Sequence, residues 1–190
     1  MIQFIKNNKF VICLVMGFVA LALAITHLSD TYNTYDNYSS VVEEFDNYCF
    51  QLLIDMVKDV MLIIASIVFI IMGYKNNLDK SLITLALIAY CALDLLDLVV
   101  TFRNDNYSTS PFVYAALDIM ILVFCILSIT NRKYFLTMLI VLMIDMSFNL
   151  LSTFNGSTRG LSALLIEVLI LGSIYFYSNN SYNNDNNYYN

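Results

Sequence analysis

LITLALIAYCALDLLDLVVTF, residues 82–102, is an apolar run of membrane-spanning length that carries two aspartates, Asp94 and Asp97, towards its end. A helix needs about 20 mostly apolar residues to cross the hydrocarbon of a bilayer. Five further stretches match or nearly match that length: residues 10–28, 52–74, 111–130, 134–154 and 161–178. The 190 residues are 59% hydrophobic and 13% charged. Soluble domains run roughly 45–50% apolar and about 25% charged. The spans are joined by short polar loops, and the longest polar stretch, about 29–51, is too short for a soluble domain. The expected fold is therefore an all-α membrane protein: one bundle of six transmembrane helices over residues 1–178, with the lipid bilayer as its first partner. Residues 179–190, NNSYNNDNNYYN, are low in complexity and expected to be a disordered tail.

The first span could also be read as a signal peptide. Lys6 and Lys9 precede a short apolar run, and Ala22-Leu23-Ala24 resembles a cleavage site. Retention as a helix is the preferred reading, because the segment fits the repeat described below. Lys and Arg gather in cytoplasmic loops. If the helices alternate, Lys6, Lys9, Lys75, Lys80, Arg132 and Lys133 fall on one side, and Arg103 and Arg159 on the other. This places both termini in the cytoplasm. Each outer loop would then hold a glycosylation sequon, at Asn37, Asn106 and Asn155, in a chain whose abundant Asn generates such sequons by chance.

Three segments align without gaps: DVMLIIASIVF from Asp59, DIMILVFCILS from Asp118 and EVLILGSIYFY from Glu167. Each starts with an acid about a third of the way into an even-numbered span. The odd-numbered spans end alike in AIT, VVT and LST. One two-helix hairpin used three times is the expectation, and repeats are common in transporters.

Asp59, Asp94, Asp97, Asp118, Asp145 and Glu167 all lie inside apolar runs, and Lys58 is the one base there. A charge at the middle of a membrane helix costs about 2.5–3.5 kcal/mol even on lenient scales. These acids must be neutral, hydrogen-bonded, paired or wet. Counting from the span ends puts Asp59, Asp97, Asp118 and Glu167 in one layer, with Asp94 and Asp145 deeper. Helical spacing forms stripes: Tyr90, Asp94, Asp97 and Thr101; Asp145, Asn149 and Ser152; Tyr114, Asp118 and Cys125; Asp55, Asp59 and Ser66. Lipid satisfies none of these groups, so each stripe should face the bundle interior.

Three readings of the polar layer stand open. Neutral acids and Asn149 can fix helix packing. Their hard oxygens can handle a proton or a cation, as in a small transporter or channel. They can also pair with the basic helix of a partner membrane protein, making the chain an accessory or assembly factor. A soft-metal site is disfavoured, because the one histidine, His27, sits at a span end and Cys13, Cys49, Cys91 and Cys125 are dispersed. No His/Glu metal motif, Gly-rich phosphate loop or nucleophile beside a His occurs. The expectation is a non-enzymatic protein without cofactor and without a nucleic-acid partner. Gly17, Ala20 and Ala24 form a small-residue strip, expected to pack within the bundle rather than between copies.

Overall fold

The computed structural model describes residues 2–42, 46–103, 110–154 and 156–187, and side chains within 7–177 apart from those of Asp94, Ser110 and Ser152. These residues form six long helices: α1 (Ile2–Ser39), α2 (Asn47–Tyr74), α3 (Lys80–Arg103), α4 (Ser110–Thr130), α5 (Phe135–Phe154) and α6 (Thr158–Asn187). A short 3-10 turn, Arg132–Tyr134, leads into α5. All six are long and apolar enough to cross a membrane. Many large apolar side chains point outward, among them Phe18, Ile88, Leu136 and Ile140. In water such a surface would drive aggregation, whereas in hydrocarbon it is the solvated face.

Local sequence sets the helix ends. Asp46 is the N-cap of α2, accepting from the Cys49 N–H at 2.8 Å. Tyr38 Oη also donates to Asp46, at 2.7 Å, and its ring meets Tyr48 edge-on. The Cys49 N–H and the Tyr38 hydroxyl together hold the Asp46 carboxyl below its ordinary range. Asp79 caps the start of α3 through the Ser81 N–H, and Pro111 sits in the first turn of α4, where its missing N–H costs nothing. Gly156, at φ +86°, turns the chain between α5 and α6. The Ser157 hydroxyl then accepts from the Gly160 N–H at 3.0 Å and starts α6.

Several helices outrun the expected spans: α1 at both ends, α2 at its start (Asn47 rather than 52) and α6 at both ends. α1 spans 38 residues, about 57 Å, so the acidic stretch after residue 28 continues as helix to Ser39. Nothing in it breaks a helix: residues 29–39 contain neither Gly nor Pro. For the same reason α6 runs on to Asn187, through the stretch expected to lack structure.

α6 is the central helix, packing against each of the other five. α1 and α2 form the closest seam. Gly73 lies directly on the Phe10–Leu14 turn of α1, and Gly17 on the Ser66–Ile70 turn of α2. Ala20 and Ala24 are wholly buried, and the Ser162 hydroxyl of α6 donates to the Ala20 carbonyl at 3.0 Å. The small-residue strip of α1 is thus consumed inside the bundle, where the absence of side chains lets backbones approach.

Candidate functional site

The intramembrane polar residues separate into two groups. The first lies towards the Ser157 end of the bundle and is built of ion pairs. Arg159, in the first turn of α6, donates from Nη1 to Asp55 Oδ1 at 2.6 Å and from Nε to Asp59 Oδ1 at 2.9 Å. Its Nη2 also donates to the Asp55 carbonyl at 3.0 Å. Asp59, with no exposed surface, meets His27 Nδ1 at 3.0 Å on its other oxygen. Thr31 caps the His27 turn through the His27 carbonyl. Beside this knot, Lys58 Nζ donates to both oxygens of Asp97 at 2.8 and 2.7 Å.

The second group is acidic and deeper. Tyr90 Oη on α3 donates to Asp145 Oδ2 on α5 at 2.6 Å, and Asn149 Nδ2, one turn along α5, donates to Tyr90 Oη at 2.9 Å. Glu167 of α6 lies beside Asp145, Tyr90 and Asn149. It has no exposed surface, and neither carboxyl oxygen makes a hydrogen bond of ordinary geometry among the described residues. Asp118 of α4, also buried, is within electrostatic reach of Tyr90. Four helices thus deliver carboxyl, phenol and amide groups to one buried region.

A polar cavity of about 240 Å³ joins the two groups. Its walls include Lys58 and Arg159 of the ion-paired group, Asn149 of the acidic group, and Ser157 at the α5–α6 turn. Liquid water takes about 30 Å³ per molecule, so the space suits several waters with polar partners.

The expected single layer is therefore corrected. Asp59, Asp118 and Glu167 are alike in burial, but they divide between the two groups. Arg159 reaches Asp59, whereas Glu167 comes eight residues later on the same helix, about 12 Å further along the axis. Glu167 stands with Asp145, which was expected to lie deeper, and Asp59 stands with Arg159 and His27. The aligned segments share an inward-facing carboxyl at the same point in the pattern.

Of the other sequence-selected residues, Asp97 keeps 40% of its side-chain surface exposed but is held by Lys58, and Thr101, Ser66 and Cys125 are buried as the stripes require. The Asp94 side chain lies outside those described, as do the sequons at Asn106 and Asn155. Asn37 is exposed, but on helix α1 rather than in a loop. The four cysteines are buried thiols. Sequence reasoning missed the roles of Arg159, assigned to a loop, and of His27, placed only at a span end. Ser157, a preferred N-cap residue, was the available signal that α6 begins early enough to include Arg159. Among the described residues, no three His, Cys, Asp or Glu side chains gather at metal-ligand spacing. Comparison with known proteins finds no matching family, no matching curated protein and no matching solved structure.

Proposed function

We propose that this chain is a non-enzymatic, multi-pass integral membrane protein that conducts or couples to protons through the Tyr90–Asp145–Glu167 cluster. Glu167 carries the reading: a wholly buried carboxyl whose two oxygens make no hydrogen bond of ordinary geometry. An ionised carboxylate with no cation beside it is costly to keep in such a place. Two neighbouring carboxyl groups out of water repel each other when both are charged, so a mobile proton is the natural occupant of the cluster. Tyr90 and Asn149 continue the chain of exchangeable donors to the polar cavity. The proton is preferred to a metal cation because hydroxyl and amide N–H donors point into this cluster. A cation site would instead turn lone pairs towards the ion.

The accessory-protein reading is weaker. Asp55, Asp59 and Asp97 already have cationic partners in the chain, and Glu167 is closed off from any partner helix. The ion-paired group fits the packing role: it locks α1, α2, α3 and α6 together around the cavity mouth.

Proteoliposomes with an entrapped pH-sensitive dye and an imposed potassium potential test the proposal. The protein is expected to acidify them faster than empty vesicles. Glu167→Gln and Asp145→Asn, near-isosteric and neutral, are expected to cut the rate about a hundred-fold or more, the scale of a positioned proton carrier. Flux equal to that of empty vesicles, or flux retained in both variants, overturns the proposal.

The positive-inside count further places both termini in the cytoplasm. A cysteine introduced by Asn77→Cys, between α2 and α3, is then expected to stay unlabelled by an impermeant maleimide in intact cells and to react after lysis. Labelling before lysis reverses the orientation.

A further inference from the structure

We infer that the groove between α1 and α6 at the Lys9 end of the bundle is a binding site for one anionic phospholipid. This rests on the membrane residence proposed above and is independent of the proton cluster. Two apolar cavities, of about 270 and 400 Å³, flank α6 and share Val168, Gly172 and Phe176 in their walls. Small-molecule pockets run about 300–1,000 Å³, so the pair has room for part of a lipid, with the rest of its chains in the surrounding bilayer. Gly172 makes the notch: a Cβ placed there would meet no atom within 4 Å.

The chemistry along the groove is ordered as a lipid is ordered. Lys9 stands at the mouth, its Nζ 4.9 Å from the Phe10 ring centroid and 5.6 Å from that of Phe176. No carboxylate among the described residues forms a salt bridge with it. One turn further into the bundle, the buried Ser173 hydroxyl lines the cavity beside the Cys13 thiol and makes no hydrogen bond of ordinary geometry. Beyond lie apolar walls such as Met16 and Leu169. A phosphate at Lys9, an ester carbonyl accepting from Ser173 and an acyl chain at Gly172 satisfy all three features. A basic residue in a pocket between membrane helices is a recognised device for holding acidic head groups.

The test reconstitutes the full chain in nanodiscs of phosphatidylcholine and phosphatidylglycerol in equal parts and counts retained lipids by native mass spectrometry. The wild-type chain is expected to retain phosphatidylglycerol about five-fold over phosphatidylcholine, the effect of one basic residue at an anionic surface. Lys9→Gln should bring the ratio to parity. Gly172→Leu should fill the notch and lower retention of both lipids. If a thermal melt finds Gly172→Leu unfolded, the Lys9→Gln ratio decides alone. Parity in the wild-type chain, a preference that survives Lys9→Gln, or full retention in folded Gly172→Leu each overturns the site. A chain that stays outside the discs overturns the membrane reading and the lipid site with it.

Discussion

Arg159→Gln is expected to destabilise the protein by about 3–5 kcal/mol, the usual result of removing one side of a buried ion pair. Arg159 grips two carboxylates on α2, and the cost falls mainly on Asp59, whose surface is entirely buried. His27 remains at 3.0 Å but cannot replace the fork of donors that Arg159 supplies. For a chain of this size the expected fall in thermal midpoint is about 10 °C. A second substitution sharpens the test. Asp59→Asn in the Arg159→Gln background removes the stranded charge and should recover a large part of the loss, whereas independent sites would simply add. Lys58→Gln provides the contrast. Its partner Asp97 keeps 40% of its side-chain surface exposed, so solvent or head groups can take over, and the expected loss is about 1 kcal/mol or less. Equal melting of Arg159→Gln and wild type in the same detergent would mean that the knot carries no stability.

Gly73→Val should be nearly as damaging, by a different mechanism. A Cβ at Gly73 would stand 2.8 Å from the Phe10 carbonyl oxygen and 2.9 Å from the Leu14 nitrogen. Both are backbone atoms of α1 and cannot rotate away. α1 and α2 must move apart, and the seam loses its packing, at a cost of about 3 kcal/mol. Gly17 is more forgiving, because its closest neighbour is the Ile70 side chain, at 2.9 Å. Gly172→Ala, in open space, should be neutral or stabilising by up to about 1 kcal/mol through helix propensity. The expected order of stability is therefore Gly172→Ala, then Gly17→Ala, then Gly73→Ala, with Gly73→Val lowest. Thermal unfolding across the series measures it, and a Gly73→Val protein that melts with the wild type would contradict the close approach of these two helices.

The sequence by itself determined the six apolar helices, though not how far α1, α2 and α6 extend beyond their apolar runs. Hydropathy and span length are local properties, and a helix satisfies its own backbone hydrogen bonds without knowing its neighbours. The inward stripes were legible for the same reason: Asp59, Asp118 and Asp145 recur at helical spacing with other polar groups, and all three are buried. The sequence also marked Lys58 as the one base within the spans. Which acid meets which base was not legible. Arg159 and Asp55 are 104 positions apart, and Tyr90 and Asp145 are 55 apart. Such pairs depend on helix tilt and on the level at which each helix enters the bundle, neither of which is a local quantity. Counting residues from span ends assumed equal entry levels. Ser157 started α6 earlier than its apolar run, which brought Arg159 to Asp59 and left Glu167 two turns deeper beside Asp145. Only the tertiary structure decided that one set of carboxylates is paired with cations while the other is gathered with Tyr90 and Asn149 around Glu167.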